Sequence, residues 1–402
     1  MPHPSKLPTE LPAREYEHRI EAIRERLAET DADAAGWFGA TSIGYLTGFH
    51  HIQTERPVFL AITPETVAIT VPRLERERAS GNPRIERVVS YFDYPGGNPI
   101  ETIAEMLDSL GVVQVQADGE GAPGVMGYEG PPLTGFCDIT TQSWVSRMRW
   151  EKTDAEIDLV RESARWANLG HRYFAEEASE GTHPATVSQR ASMRASRAML
   201  DTIGERYVPL TRGGGLVHAG CISGSQTRLP HGHTANRRLA AGDVLITGAT
   251  ANIDGYYSEL ERTMFVGEPT DEHQQYFELA VEAQTISMET LGPGVELAAV
   301  DQAVWEFFDE QGVTDLAQHH VGHNIGMGGH EPPYIDRGWT AHCEREGRPD
   351  TDAVAQPGQI YTLEPGLYTD DAGYRHSDTV LVTENGTEQL TYFPRGLEEN
   401  TV

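Results

Sequence analysis

Residues 355–368 read AQPGQIYTLEPGLY, and residues 375–383 read RHSDTVLVT. The first stretch predicts a β-strand that ends at Glu364, because apolar, aromatic and β-branched residues lead up to the glutamate and a Pro-Gly pair follows it. The second stretch predicts another strand, which begins with polar residues. Together they indicate a C-terminal sheet with a carboxylate at the end of one strand and Ser377 at the beginning of another.

Three further motifs precede this sheet. They are TRLPHGH at residues 227–233, DGYYSELERTMF at 254–265 and HHVGHNIGMGGHEP at 319–332. In this order and at these spacings, the motifs resemble those of the pita-bread hydrolases, which include aminopeptidase P, prolidase, methionine aminopeptidase and creatinase. The resemblance implies an α/β (α+β) fold. It also implies a creatinase-type N-terminal α/β domain over residues 1–150 and a pita-bread catalytic domain over residues 151–402.

Local patterns in the first part of the chain agree with a separate α/β domain. A chain of 402 residues is long enough for two cores. Residues 15–28 predict a helix that places Ile20, Ile23 and Leu27 on one face. Strands are expected at residues 34–38, 58–63, 67–71 and 112–117, and a further helix at residues 100–110.

A second domain is expected to begin near Trp150. Thr153 and Glu156 form a capping-box pattern, which opens a long helix through about residue 177. Further helices are predicted at residues 185–203, 271–291 and 297–311, and strands at residues 216–222, 244–249 and 255–266.

The charge of the chain excludes one class of partner. The sequence has 61 acidic and 31 basic residues, a formal net charge of −30, and only two lysines, Lys6 and Lys152. Nucleic-acid phosphates would be repelled. The scarcity of lysine favours adaptation to high salt, where screening reduces self-repulsion. We therefore predict a halophilic protein.

Other features of the composition indicate a cytoplasmic protein without a membrane segment. No run of about 18 apolar residues is present, as a membrane-spanning helix would need, and the N-terminus lacks the apolar stretch of a signal peptide. The three cysteines lie far apart, so neither a disulfide framework nor a zinc knuckle is expected.

The resemblance also implies a metal site, which we compared residue by residue. The metallopeptidases hold two ions with two Asp, one His and two Glu. In this chain the five positions are occupied by Gly248, Glu259, His323, Glu364 and Ser377. Since glycine has no side chain and serine is a poor ligand, no two-metal centre is expected. One Mn, Co or Zn ion on Glu259, His323 and Glu364, with His233 or His376 as a further ligand, remains an alternative.

The strand at residues 256–263 resembles creatinase in particular, the member of the group that works without metal. Its sequence is YYSELERT, and His231 lies twelve residues before Asp243, as the creatinase catalytic histidine does. The resemblance implies that His231 moves protons and that Glu261 and Glu364 hold a cationic nitrogen group. His323 is the fourth expected catalytic residue.

Substrate-binding residues follow from the same resemblance. His330, Arg375 and Tyr257 are expected to contact substrate, although Arg262 and Arg375 could instead neutralise buried carboxylates. Arg56, in the sequence ERPV, resembles an arginine that binds the substrate carboxylate in the partner subunit's site, which implies a homodimer with composite sites. One departure is Tyr334, which replaces a substrate-binding arginine of creatinase, with Arg337 nearby but out of register.

These observations predict a hydrolase that cleaves a C–N bond in a small N-substituted amino-acid-like or guanidino compound without metal or another cofactor. The first alternative is a metal-dependent Xaa-Pro aminopeptidase or dipeptidase, which acts on short peptides. The second alternative is a non-catalytic binding protein on the same fold. Neither nucleic acid nor a membrane is expected as a partner.

Overall fold

The computed structural model describes residues 8–119, 127–205, 207–210 and 216–402. The chain divides into two compact units. One consists of Pro12–Arg149, and the other of Trp150–Val402 together with residues 8–11. Across the described ranges, no helix combines the length and the apolar character that crossing a membrane would need.

The first unit is built around a six-stranded sheet. Its strands are β1 (Ala34–Trp37), β2 (Phe59–Ile62), β3 (Val67–Pro72), β4 (Arg87–Tyr91), β5 (Gln114–Ala117) and β6 (Asp138–Thr141), in the order β4-β3-β2-β1-β5-β6. The helices are α1 (Ala13–Ala28), α2 (Ala40–Thr47), α3 (Arg76–Ser80), α4 (Pro99–Asp108) and α5 (Trp144–Met148). The predicted amphipathic helix is confirmed, since Ile20, Ile23 and Leu27 are buried in α1.

The second unit surrounds an eight-stranded sheet, in which β11-β10-β12-β15-β9-β8-β7 form a continuous path and β16 pairs with β15. Its strands are β7 (Val217–Ser223), β8 (Val244–Ala251), β9 (Leu260–Phe265), β10 (Gly322–Asn324), β11 (Glu331–Ile335), β12 (Ile360–Leu363), β13 (Gly366–Tyr368), β14 (Gly373–Arg375), β15 (Ser377–Thr383) and β16 (Gly386–Gln389). Its helices are α6 (Asp154–Glu177), α7 (Pro184–Ile203), α8 (Asp271–Thr290), α9 (Leu297–Glu310) and α10 (Trp339–Arg345).

Helix α6 begins as predicted. The Thr153 side chain accepts a hydrogen bond from the Glu156 backbone, and the Glu156 side chain accepts one from the Thr153 backbone, so that both halves of the capping box are present. The predicted strand at residues 255–266 is too long, because β9 begins only at Leu260. A turn occupies the preceding residues, where Asn252 accepts a hydrogen bond from the Gly255 backbone.

Strand β7 lies at the edge of the sheet, and hydroxyl side chains cover its backbone. Ser196 bonds both the amide and the carbonyl of Val217, and Ser192 does the same for Ala219. Thr234 donates to the carbonyl of Cys221. Side chains therefore replace a neighbouring strand, which protects the edge from pairing with another chain.

The register of the sheet aligns one residue from each of four neighbouring strands in a single row. Gly220 on β7 is opposite Gly248 on β8, Gly248 is opposite Glu261 on β9, and Glu261 is opposite Ser377 on β15. Because side chains alternate between the faces of a strand, these four positions share one face. The candidate site lies on this row.

Candidate active site

Two carboxylates and one imidazole meet at the centre of the sheet. Ligand-capable atoms of Glu259, His323 and Glu364 all lie within 4.8 Å of one another. His323 is fully buried on β10, Glu364 directly follows β12, and Glu259 directly precedes β9. Nδ1 of His323 donates to the carbonyl of Asn324 at 3.0 Å, which turns Nε2 toward Glu364 Oε1 at 3.1 Å.

The three groups control one another's charge. Burial alone favours neutral His323, but the adjacent Glu364 carboxylate and the charge of Glu259 outweigh it and raise the pKa of His323. Burial also opposes the charged form of Glu364, yet the contact with charged His323 lowers the pKa of Glu364. Burial and the charges of Glu364 and Glu261 raise the pKa of Glu259. The arrangement thus favours an imidazolium–carboxylate pair beside a carboxyl that holds its proton more tightly.

Glu261 lies beside this cluster and pairs with Arg375. Nε and Nη2 of Arg375 donate to the two carboxylate oxygens of Glu261 at 2.5 and 2.8 Å, and Nη1 donates to the carbonyl of Pro230 at 3.1 Å. All three guanidinium nitrogens are therefore engaged by the protein. This geometry favours the structural alternative for Arg375, and substrate contact by Arg375 stays a prediction.

The contact between Arg375 and Pro230 fixes the loop that carries His231. The loop is tight, because a Cβ at Gly232 would lie 2.2 Å from the carbonyl oxygen of Gln226. His231 itself is exposed. Its charge lowers the pKa of His330, after the larger effects of burial and of His323. His330 in turn stacks on His323, with ring centroids 3.7 Å apart.

His319 and Tyr368 also belong to the site, although neither is among the site residues predicted from the sequence. Nδ1 of His319 donates to the carbonyl of His320, so its Nε2 can accept from the Tyr368 hydroxyl at 2.8 Å. The same hydroxyl accepts from Nη1 of Arg375 at 3.0 Å. These bonds fix Arg375, which fixes Glu261. The available signal was Tyr368 itself, the last residue of the quoted stretch.

A cavity of about 890 Å³ opens beside the carboxylates. Glu259, Glu261 and Gly248 line it, and so does Tyr257, one of the predicted substrate-binding residues. The cavity extends along β8 toward β7, where His218 and Gly220 form part of its wall.

The residues present do not fit a two-ion centre. A Cβ at Gly248 would meet only Glu261 atoms, at 3.7 and 3.8 Å, so open space replaces a ligand there. The Ser377 hydroxyl donates to Oε1 of Glu259 at 2.8 Å, and a hydroxyl is a poor ligand at a position where the family resemblance implies a metal-binding carboxylate. Among the described residues, the cluster of ligand-capable groups consists of Glu259, His323 and Glu364, and atoms that lie within 4.8 Å of one another suit a single cation.

Several predicted residues lie elsewhere. His376, the alternative further metal ligand, is fully buried, and its ring packs edge-on against Phe277 with centroids 4.9 Å apart. His233 is exposed and does not join the ligand cluster found among the described residues. Arg337 stacks on Trp305, with its guanidinium carbon 3.7 Å from the ring centre.

Arg56 belongs to the first unit and is held by neighbouring acids. Its Nη1 lies 2.5 Å from Glu55, and its Nε and Nη2 both donate to Asp93. The role predicted for Arg56 in a partner's site stays a prediction.

Comparisons with known proteins agree with this fold. A model of the creatinase/prolidase N-terminal domain matches residues 19–119, and a model of metallopeptidase family M24 matches residues 158–384. Creatinase of Bacillus sp. (strain B-0618) is 25% identical over 405 residues, which cover 96% of this chain and 93% of creatinase. The Xaa-Pro dipeptidase of Pyrococcus furiosus is 28% identical over 259 residues, which cover 63% of this chain and 66% of the dipeptidase.

Solved structures show the same architecture. The Xaa-Pro dipeptidase from Bacillus anthracis superposes with a TM-score of 0.77 at 22% identity, covering 96% of this chain and 100% of the dipeptidase. Dipeptidase PepE from Mycobacterium ulcerans gives a TM-score of 0.77 at 23% identity, covering 98% of this chain and 100% of PepE. The predicted pita-bread fold is confirmed. Because the catalytic-domain model matches more than half of the chain, the protein belongs to metallopeptidase family M24.

Proposed function

We propose that this M24 hydrolase cleaves a C–N bond in a zwitterionic, N-substituted amino-acid-like or guanidino compound without a metal ion. The single observation that carries the proposal is the row from Gly248 to Ser377. Two of the positions that hold ions in the metallopeptidases have no carboxylate, and the Ser377 hydroxyl instead bonds to Glu259. The frame of the site is retained, but the ligand set is not.

The charge of the cluster suits a cationic group of the substrate. Glu259 and Glu261 line the inner end of the cavity, and Glu364 lies beside Glu259. Within the part of the chain that the structure describes, Arg375 and charged His323 oppose these three carboxylates. Binding of a cationic nitrogen would stabilise the charged form of Glu259, as an opposite charge favours ionisation. Glu259 thereby joins Glu261 and Glu364, the two carboxylates expected from the sequence.

His231 is the proposed proton carrier. A water molecule attacks the carbon of the scissile bond, the C–O bond forms, and the C–N bond breaks. His231 accepts a proton from the water and passes it to the leaving nitrogen. Histidine suits both steps because its ordinary pKa is near neutrality. Its exposed loop lies beside the site, since Pro230 is bonded to Arg375.

We further propose a homodimer in which Arg56 holds the substrate carboxylate in the partner's site. The support is the ERPV sequence and its resemblance to the creatinase arginine. Mixing Arg56→Ala chains with His231→Ala chains should recover part of the activity, because one hybrid site regains both groups. No recovery in a preparation shown to exchange subunits would place Arg56 outside the partner's site.

A second candidate function is that of a single-metal Xaa-Pro peptidase. The observation in its favour is that Glu259, His323 and Glu364 come within 4.8 Å of one another, and one relative is named an Xaa-Pro dipeptidase. Such an enzyme would lose activity in EDTA and regain it with Mn, Co or Zn.

A metabolite screen tests the main proposal. A compound that binds only the folded protein raises its melting temperature by mass action. Zwitterionic and guanidino compounds should give the largest shifts in molar KCl, and those that bind should be cleaved in EDTA. If every compound that binds is cleaved only after metal is added, the metal-free reaction is excluded.

A further inference from the structure

Lysine is rare in this chain, and one of its two lysines is buried. Lys152 is 6% exposed, whereas lysine side chains normally keep the ammonium group in water. Its Nζ donates to Oδ1 of Asn324 and, at 3.4 Å, to the carbonyl of Trp150. Its own amide donates to the carbonyl of Gly358 at 2.9 Å. Because a buried charge costs free energy unless it is hydrogen-bonded or paired, a lysine here indicates a local need for its ammonium group.

The position suits lysine rather than arginine, which supplies every other basic residue of the chain apart from Lys6. A Cβ added at Gly326 would lie 2.9 Å from Cε of Lys152 and 3.4 Å from its Nζ. The end of the lysine side chain therefore packs directly on the backbone of this glycine. A planar guanidinium is larger and carries five donors, so the space fits the compact ammonium group.

The ammonium group binds a residue at which strand pairing is irregular. His323 on β10 is opposite Tyr334 on β11, but the next residue, Asn324, is opposite Glu331. Two prolines, residues 332–333, lie between these partners and have no amide to donate. Strand β12 pairs with Asn324 on the other side, but the ladder toward β11 is interrupted, as is common beside active sites. The orientation of Asn324 therefore depends more on its side chain than it would in a regular ladder.

The side chain of Asn324 is bonded at both polar atoms. Oδ1 accepts from the ammonium group of Lys152, and Nδ2 donates to the carbonyl of Trp150 at 3.0 Å. The backbone carbonyl of Asn324 accepts from Nδ1 of His323 at 3.0 Å, and this bond turns Nε2 toward Glu364. A chain of contacts thus runs from the buried ammonium group through Asn324 to the imidazole at the centre of the site.

We propose that Lys152 is a positioning residue for His323. Lys152 does not belong to the wall of the cavity beside the carboxylates, so it acts through Asn324 rather than on a ligand. The ammonium group fixes the Asn324 side chain, and the Asn324 carbonyl then sets the tautomer and the direction of the imidazole. A misplacement of about 1 Å in an active site can cost about a hundredfold in rate. The expected effect on the reaction rests on the proposed function, whereas the effect on the imidazole does not.

Exchange of the Nδ1 proton of His323 tests the proposal without a substrate. In NMR of protein with isotope-labelled histidine, in molar KCl and EDTA, the wild type should show a protected imidazole N–H signal that is lost in His323→Gln. Lys152→Met removes the ammonium group with little change in volume. The signal should then exchange with water about tenfold faster or more, since losing a buried hydrogen bond to a charged donor eases local opening. With a compound that the wild type cleaves, kcat/KM should fall by about tenfold to a hundredfold.

Two further variants separate positioning from stability. Arg19→Met removes a buried cation of the first unit, which donates to the carbonyl of Tyr45 at 2.7 Å. It should lower the melting temperature but leave the His323 signal unchanged. Lys152→Met combined with Asn324→Leu replaces both polar partners by apolar side chains, which can restore stability. Its melting temperature should recover while the His323 signal still exchanges fast, and it takes the place of Lys152→Met if that variant does not fold.

An unchanged signal in Lys152→Met would overturn the inference, as would slow exchange restored in the double variant or a wild type without a protected His323 signal. Equal acceleration in Arg19→Met and Lys152→Met would also overturn it, because general destabilisation would then explain both. If the signal responds as expected but no compound is cleaved, the proposed function is wrong and the positioning role of Lys152 stays.

Discussion

The two sides of the active site differ in whether the residues at the family's metal-binding positions are retained. On the side of β10 and β12, His323 and Glu364 are retained and form a buried charged pair. On the side of β8 and β15, the corresponding positions are Gly248 and Ser377, and the site opens into the cavity. The fold of the family is therefore kept while some of its metal-binding side chains are replaced, which illustrates why the fold alone does not fix the reaction.

The difference between the two sides has an electrostatic reason. The pKa of Glu259 is already raised by burial and by two neighbouring carboxylates. Two further carboxylates at positions 248 and 377 would add repulsion that only bound cations could offset. Without ions, replacing them by glycine and serine removes that repulsion. The substituted side is thus consistent with a site that works without metal.

Restoring the lost ligands should produce the largest effect, which is a change in the number of metal ions bound per chain. Wild-type protein purified without chelator should carry far less than one equivalent of Mn, Co or Zn. Gly248→Asp combined with Ser377→Glu should bind about two ions per chain, as two-metal sites do. Metal analysis and titration with Mn²⁺ measure both. The open space around a Cβ at Gly248 makes the first substitution feasible.

The matched control is Gly248→Asn with Ser377→Gln, which adds similar volume without charge and should bind no metal. Melting temperatures establish that each variant is folded. Two tightly held ions in the wild type, with activity lost in EDTA, would show that the two sides still form one metal centre.

Sequence alone could locate both sides but not their contacts. The motifs around His323 and Glu364 are continuous segments whose spacing survives in the sequence, and the missing ligands were visible as Gly248 and Ser377. The bonds from Arg375 to Glu261 and from Tyr368 to His319 join separate segments. No local pattern encodes such partners. Likewise, β9 begins later than predicted because a turn that Asn252 stabilises occupies the start of the predicted strand.

The second-largest effect concerns His231, whose loop is held beside the site by the bond from Arg375 to Pro230. His231→Ala should lower kcat by about 10² to 10⁴, the usual contribution of a positioned acid–base group. KM should change little, since binding is assigned to the carboxylates, and a loss confined to kcat marks an interaction made mainly in the transition state. Steady-state kinetics with the first compound found to be cleaved measure both constants. Weaker binding with unchanged turnover would make His231 a binding residue and leave His323 as the next candidate.

The third prediction concerns a buried ion pair next to Ser377, on the substituted side of the site. Arg262 and Asp378 form an ion pair whose side chains are fully buried, and Arg262 also donates to the carbonyl of Ser377 at 2.9 Å. Asp378→Asn should lower the free energy of unfolding by about 3–5 kcal/mol, because it leaves a buried arginine without its counter-charge. Urea unfolding measures the loss.

The matched control is Glu388→Gln, which breaks the exposed pair with Arg161. It should cost at most about 1 kcal/mol, as surface pairs do. Equal losses in the two variants would mean that burial does not decide the strength of these pairs.

The smallest expected effect is a salt-dependent rise in melting temperature, which distinguishes the charge of the surface from that of the buried ion pair. With a net charge of −30, the folded chain repels itself at low ionic strength. The Debye length falls from about 10 Å at 0.1 M salt to about 3 Å at 1 M. The melting temperature should therefore rise by a few degrees in molar KCl, since about 1 kcal/mol corresponds to a shift of roughly 2–4 °C in a domain of this size. KCl is preferable to sulfate, which also strengthens apolar burial.

The buried Arg262–Asp378 pair is screened far less, so the salt-induced rise should be the same in Asp378→Asn as in the wild type. An unchanged melting temperature in the wild type would contradict adaptation to salt, and a rise lost in the variant would assign the salt response to the buried pair rather than to the surface.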